Sequence, residues 1–434
     1  MQAKCPNCGG SHWENADHFR FKDKDKKGNK INMAICLDCG MVSYPDKLLN
    51  KEAMLEHYKK DYRPAPTINN SFTGQRKNYF HLAFLNDLFA EWKRENKNIT
   101  VCDVGCAYGM SLNMIHQVFP DADINGVELT ESMKRVCFHE FGYKLADEID
   151  ASKKYDMIMS YKVLEHQIDP MEELKKYATL LKQDGVLYIS VPTWFNTMSN
   201  FGLDGFDLDY YYDPNHINVW TREMFESMLL RSGFEIIKQD HVIYGDTYLC
   251  KVKKENESLP VLKLEVDQVK SAMHLIKEAF LKFIDYKYEE ATKIWPEYPQ
   301  AWMAMIEMER KKMAEHGYEW FKNNLIKPMI DACPQSPECI ITARDFALRA
   351  NDFEGALGLA KVALNMKPNN QVSLNHIVII FKELGIRAKT EEEKIKNFIQ
   401  ARNAAINLHN LSAQNREQAV NEIYFLNSLI PVGA

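Results

Sequence analysis

Long apolar runs are missing from this chain. No stretch approaches the roughly 18 consecutive apolar residues that a membrane-spanning helix needs, and a membrane association is not expected. The first residues, Met1-Gln2-Ala3-Lys4-Cys5, carry no apolar signal region, so a cytoplasmic location is the expectation. Excess positive charge is missing as well. A net charge of -6 gives no basic footprint over the whole chain, and nucleic acid is not expected as a partner. Phosphate-loop chemistry is also absent. The glycine-rich turn described below has no following Lys-Ser/Thr, and it lacks the G-x-G-x-x-G spacing of a dinucleotide site. What remains is ordinary for a globular chain: 434 residues, 46% apolar and 26% charged, enough for about three domains.

The segment Ile99-Thr100-Val101-Cys102-Asp103-Val104-Gly105-Cys106-Ala107-Tyr108-Gly109 organises the rest. A β-branched run leads into an acid, then into two glycines, then into a helical pattern from Met110 to Phe119. This reads as strand, tight turn and helix, the opening unit of a nucleotide-binding α/β sheet. A Cβ at either glycine would hold the backbone away from a ligand. Asp103 would repel a pyrophosphate, so the ligand expected here is an unphosphorylated, cationic nucleoside. The stretch resembles motif I of class I S-adenosylmethionine-dependent methyltransferases.

Further strands are expected at Ile124 to Leu129, near Tyr143 to Ala146, and at Tyr155 to Ser160, Val186 to Val191, Phe234 to Gln239 and Thr247 to Val252. Helical patterns alternate with them, as in a parallel sheet covered on both faces. In the class the resemblance points to, the sheet has seven strands with the last antiparallel. Glu128, at a strand end 25 residues after Asp103, has the chemistry to accept two ribose hydroxyls, and that spacing favours this role over a surface Glu at a strand end. The resemblance implies cofactor contacts from Asp103, Gly105, Cys106, Ala107 and Gly109, with Glu128, Leu129, Asp147 and Tyr161 around them, Asp147 facing the adenine amino group.

Leu164-Glu165-His166-Gln167-Ile168-Asp169-Pro170 is similar to the motif after the fourth strand in the ubiquinone-biosynthesis-like branch of that superfamily. His166 either serves as a general base or, with Glu165, caps the helix and orders the cleft. His216, followed by Trp220-Thr221 and later Gly233-Phe234-Glu235, matches the stretch between strands five and six. In sugar C-methylating relatives the equivalent His lies in the active site. Here Asn215 precedes His216, and Asp213 stands where those relatives have Tyr, which weakens the case for carbon methylation. A His base suits removal of a hydroxyl proton, whereas a His that only holds the loop is the structural alternative.

Cys5-Pro6-Asn7-Cys8-Gly9 and Cys36-Leu37-Asp38-Cys39-Gly40 are matching knuckles. Cys5, Cys8, Cys36 and Cys39 can hold one Zn²⁺ tetrahedrally; a site with four thiolates is closed, so the zinc is expected to be structural. A Lys/Asp-rich span from Arg20 to Lys30 reads as a solvated hairpin tip. With the helix that follows and Tyr58-x₃-Tyr62, this region looks like the zinc-binding front module of sugar and glycan methyltransferases. Tyr58 and Tyr62 either reach the active site or pack. The segment Thr193 to Asn218 is aromatic and acidic, which suits a polyol or a packed lid.

Beyond the polar linker at Lys253 to Pro260 the pattern turns helical. Asn351 to Ala356, with Ala360, Ala363 and Pro368, fits a helix-turn-helix repeat of the tetratricopeptide kind, and Pro299, Pro334 and Pro368 recur at its period of about 34 residues. The leading Trp-x₂-Leu-Gly pattern is missing. Such a stack offers a surface to a protein partner or to another copy of the chain, whereas a plain helical bundle would only complete the fold.

The expected architecture is α/β with three parts: a zinc-binding module at 1–63, a Rossmann-like methyltransferase sheet at 64–253, and an all-α tetratricopeptide-like domain at 261–434. The expected function is S-adenosylmethionine-dependent O-methylation of a sugar nucleotide or glycan precursor. Competing readings are carbon or nitrogen methylation of a small metabolite, methylation of RNA or protein, and a non-catalytic scaffold.

Overall fold

The computed structural model describes residues 3–17, 32–60, 71–194, 215–242, 245–253, 259–334, 336–366, 371–411 and 416–431. The expected hairpin tip, Tyr62, most of the aromatic-acidic loop and Pro368 lie outside them. The chain forms two compact units, one ending at Lys277 and the other running from Glu278 to Ala434, so the division falls inside the helix Val266–Ile284. Among the described residues no helix is long and apolar enough to cross a membrane.

The first unit opens with three short strands, β1 (Trp13–Asn15), β2 (Ala34–Cys36) and β3 (Val42–Ser43), followed by the helices α1 (Pro45–Leu48), α2 (Lys51–Lys60) and α3 (Ser71–Arg94). Alternating elements follow: β4 (Thr100–Val104), α4 (Met110–Val118), β5 (Asp123–Val127), α5 (Glu131–Phe141), β6 (Tyr155–Tyr161), α6 (Pro170–Leu180) and β7 (Leu181–Val191). The unit continues through β8 (Thr193–Trp194), β9 (Asn218–Thr221), α7 (Arg222–Arg231), β10 (Phe234–Val242) and β11 (Gly245–Val252).

The large sheet has the order β10-β11-β7-β6-β4-β5. Its β4–β5, β4–β6 and β6–β7 pairs are parallel, and β11 runs antiparallel to β7 and β10. Side chains alternate between its faces, as the pleat requires. Val101, Met157, Met159 and Tyr188 pack under Phe84, Leu85, Phe89 and Trp92 of α3 and Met114 and Ile115 of α4. Cys102, Ile158, Leu187 and Ile189 face Leu174 and Tyr177 of α6 and Met224, Phe225 and Met228 of α7.

At the outer edge, where a strand is expected near Tyr143 to Ala146, the chain makes one parallel bridge, Ala146 to Val127. The Ala146 amide donates to the Gly126 carbonyl, and the Glu128 amide donates to the Ala146 carbonyl, each at 3.0 Å. The run Tyr143-Lys144-Leu145-Ala146 has no β-branched residue to extend the pairing. This bridge still fixes the start of the segment that carries Asp147.

A second sheet, β1-β2-β3-β9-β8, joins the N-terminal strands to the segment after His216. β3 pairs antiparallel with β9, Val42 opposite Val219 and Ser43 opposite Asn218.

Among its described residues the second unit is built of helices, including a π-helical turn at Lys322–Ile326. The helices Pro337–Arg349 and Phe353–Met366 pack together with Ala347, Ala356, Ala360 and Ala363 fully buried, the small side chains allowing close approach. Asn351, with φ of 62°, makes the turn between them, and Asp352 caps the second helix by accepting from the Gly355 amide at 2.9 Å.

Candidate active site and metal centre

A cavity of about 910 Å³ opens at the carboxyl ends of β4, β5 and β6, the end at which open α/β sheets bind ligands. The turn after β4 shapes one wall. Gly105 has φ of 71°, and a Cβ there would lie 2.4 Å from Val163 Cγ2. Gly109 has φ of 84°, and its Cβ would lie 2.4 Å from Cys137 Sγ. Both glycines are therefore required by backbone conformation and by space together. The Gly105 and Cys106 amides donate to the Val127 carbonyl at 2.8 and 3.1 Å, which ties the turn to β5.

Two acids face this turn. Glu128 accepts from the Ala107 amide at 3.0 Å with one carboxylate oxygen and from the Thr130 amide at 2.8 Å with the other. Its position is thus set by backbone rather than by rotamer choice. Asp103 is buried at the end of β4 and accepts a hydrogen bond from Ser111 Oγ on the first turn of α4. Burial pushes its pKa up to about 7; Ser111 opposes that rise and the Glu128 charge adds to it. A cation in the cavity would be attracted by both acids, and a pyrophosphate would be repelled.

Of the other residues expected at the cofactor, Cys106, Ala107, Leu129, Asp147 and Tyr161 all line the same cavity. Asp147 forms an ion pair with Lys134, which lowers its pKa. Tyr161 stands edge-on to His81 with ring centroids 4.6 Å apart. Burial, with Glu165 adding, raises its pKa to about 12.

Helix α2 contributes Lys51, Met54, Leu55 and Tyr58 to the lining, so the front module forms a wall of the cavity. Tyr58 reaches the site, one of the two alternatives left open by the sequence. Ser111 and His81 also line the cavity, which the sequence reading does not anticipate. His81 lies within an amphipathic helix that reads as core, and its Nδ1 sits 2.6 Å from the buried Tyr188 hydroxyl. A serine two residues after the Gly-x-x-x-Gly loop is the available signal for Ser111.

The two candidate bases are adjacent, their ring centroids 5.1 Å apart. His166 lines the cavity, and His216 is buried beside His166. His166 Nδ1 donates to the Asn215 carbonyl at 2.7 Å, and Tyr58 Oη donates to that same carbonyl at 3.2 Å. His166 Nε2 lies 4.0 Å from Glu165 Oε1, and Glu165 is fully buried. Asn218 Nδ2 donates to the Gln167 carbonyl at 2.6 Å, which fastens the 164–166 turn to β9.

The four N-terminal cysteines converge. Cys5 and Cys39 sulfurs are 3.7 Å apart, and those of Cys8 and Cys36 are 3.6 Å apart. Sulfurs held about 2.3 Å from a tetrahedral zinc lie about 3.8 Å from one another, so the donor set fits that ion. Gly9 and Gly40, with φ of 76° and 78°, turn each knuckle. Asn7 Nδ2 donates to Cys39 Sγ at 3.5 Å and is itself held by Arg231 of α7.

Residues 73–239 match a family model described as a methyltransferase domain. This part of the chain is a class I methyltransferase domain. A curated relative, the ubiquinone biosynthesis O-methyltransferase of Bradyrhizobium diazoefficiens, is 25% identical over 162 residues, covering 34% of this chain and 62% of that protein. The match thus spans less than two thirds of the relative's length. Among solved structures, the plantazolicin methyltransferase BpumL in complex with SAH is similar at 15% identity and a TM-score of 0.36, covering 48% of this chain and 98% of that one. An S-adenosylmethionine-dependent methyltransferase from Clostridium acetobutylicum aligns at 14% identity and a TM-score of 0.31, covering 39% and 91%. The methyltransferase domain holds the whole cavity except the wall supplied by α2.

Proposed function

We propose that the protein transfers the methyl group of S-adenosylmethionine to a hydroxyl oxygen of a sugar nucleotide or glycan precursor. One observation carries the reading. Asp103 and Glu128 bracket a turn that no side chain larger than Gly permits at either end, inside one cavity. Glu128 would take the ribose hydroxyls, its free lone pairs pointing away from the Ala107 and Thr130 amides. Asp103 would face the positive end of the ligand, and Asp147 the adenine amino group.

The cofactor supplies an electrophilic methyl on sulfur. The protein holds the acceptor oxygen in line with it and excludes water. The C–S bond breaks as the C–O bond forms, leaving a methyl ether and S-adenosylhomocysteine. The hydroxyl proton goes to an imidazole. His166 suits this better than His216, because it lines the cavity.

Zn²⁺ in the Cys5, Cys8, Cys36 and Cys39 site would be structural. The preference for oxygen is supported by the name of the curated relative, an O-methyltransferase. The helical unit would serve as a tetratricopeptide-like surface for a protein partner or a second copy.

The test is incubation with methyl-labelled S-adenosylmethionine and a panel of sugar nucleotides, with His166→Ala and His216→Ala alongside. Label in a methyl ether supports the reading. Label in a carbon-bound methyl, or none with any sugar nucleotide while the cofactor still binds, rejects the acceptor class.

A further inference from the structure

We propose that the cysteine cluster is also a latch: zinc held there fastens the segment after β11 and the first turns of the helix Val266–Ile284, and Asn7 is the side chain that passes metal occupancy on to them. The latch rests on zinc in the four cysteines and is independent of the methyl acceptor.

Asn7 lies inside the first knuckle and is buried. Arg231 Nη2 donates to its Oδ1 at 2.5 Å, and Arg231 Nη1 donates to its backbone carbonyl at 3.1 Å. A guanidinium only donates, so the amide oxygen must face it and the NH₂ group points the other way. That NH₂ group donates to Cys39 Sγ at 3.5 Å and to the Leu262 carbonyl at 3.4 Å. One side chain thus touches a cluster sulfur from the other knuckle and a backbone group 255 residues further along the chain. Donation to a ligating atom is the outer contact that orients metal ligands. Four thiolates outweigh the charge of one Zn²⁺, and Arg231 supplies a positive charge beside them through Asn7.

The backbone of the second knuckle makes the second hold. The Leu264 amide donates to the Cys39 carbonyl at 3.0 Å. A Cβ on Gly40 would lie 2.8 Å from the Leu264 carbonyl oxygen and 3.2 Å from Val269 Cγ2, and Gly40 has φ of 78°. The helix therefore starts against a bare backbone that only the turned knuckle presents. Leu262 and Leu264 pack on the core that contains Cys5, Cys36 and Cys39. Further along, Val269 and Met273 are buried, and Lys270 pairs with Glu14 of β1 at 2.5 Å. Loss of the ion removes the bonds that fix both knuckles in this form. The Cys39 carbonyl, the Gly40 cradle and the sulfur facing Asn7 then shift together.

The experiment is hydrogen–deuterium exchange of the full-length protein, zinc-loaded and after chelation, with zinc counted in each sample by atomic emission and Asn7→Ala alongside. The expected result is one zinc per chain. Chelation should speed exchange by about tenfold or more at residues 262–273 and leave β4 and β6 unchanged. Asn7→Ala should keep its zinc, lose it faster to the chelator, and exchange faster at 262–264 while zinc is still bound. Exchange at 262–273 that is indifferent to zinc loss overturns the latch. An equal rise in β4 and β6 also overturns it, because zinc would then hold the whole first unit. Zinc release and exchange at wild-type rates in Asn7→Ala remove Asn7 from the path. A protein that takes up no zinc overturns the latch and the zinc reading together, and leaves the methyltransferase reading to its own cofactor titration.

Discussion

Ser43 Oγ donates a 2.5 Å hydrogen bond to the carbonyl of Ile217, the residue that follows His216. Both residues are fully buried. Ser43 lies just past the second cysteine knuckle, and its strand pairs with the strand that His216 leads into. The second cysteine knuckle and the segment that follows His216 are thus joined through one small sheet.

Metal removal from the cysteine cluster should therefore act at a distance. Chelation of zinc, or Cys36→Ser, is expected to lower methyl transfer more than it lowers cofactor affinity, because the turn at Gly105 and Glu128 belong to the large sheet. Ser43→Ala is a milder version. It leaves the buried Ile217 carbonyl without that donor and should lower stability by about 1–3 kcal/mol. Denaturant melts and kcat against KM, with and without zinc, check this.

Glu128→Gln replaces a carboxylate that is fixed by two backbone amides. The variant keeps one acceptor oxygen and presents an NH₂ group to the other amide. S-adenosylmethionine should bind about tenfold or more weakly, the loss of one or two charge-assisted bonds. Calorimetry gives the number. An unchanged affinity would remove Glu128 from the site.

Gly105→Ala meets two obstacles, a φ of 71° and Val163 Cγ2 at 2.4 Å from the new Cβ. Adding Val163→Ala clears the contact but leaves the left-handed strain, about 1–2 kcal/mol. Cofactor affinity should fall strongly in the single variant and recover only in part in the double. Full recovery would show that crowding alone matters there.

Asp103 links binding to pH. Its pKa, raised to about 7 by burial, means that the empty folded protein holds a proton there that the unfolded chain releases at lower pH. This contribution favours the folded state at pH 4 and is lost as pH rises through 7. A cationic ligand favours the ionised form, so cofactor affinity should rise between pH 6 and 8 with release of up to one proton. Calorimetry in buffers of different ionisation enthalpy detects that proton. Asp103→Asn should abolish both the release and the rise.

Parts of this were readable from the chain and parts were not. The Thr100-Val101 run, Asp103 and the two glycines announce strand and turn through β-branching and backbone freedom, both local properties. The cysteine knuckles are equally local. The pairing of Val42 and Ser43 with Val219 and Asn218 has no local sign, because a two-residue strand finds its partner through tertiary packing. The edge segment at Tyr143 to Ala146 is expected as a strand from the rhythm of the elements, yet it has no β-branched residue and only Ala146 bridges. His81 was hidden by its amphipathic helix. The adjacency of His166 and His216 follows from Asn218 tying their segments together, which sequence spacing cannot reveal.

Calorimetric titration of S-adenosylmethionine into the wild-type protein, with a crystal soaked in the same compound, tests the central claim most directly. The expected result is one molecule per chain, its ribose on Glu128 and its sulfonium end toward Asp103. No binding, or a pyrophosphate-bearing nucleotide held in that cavity instead, would contradict the account.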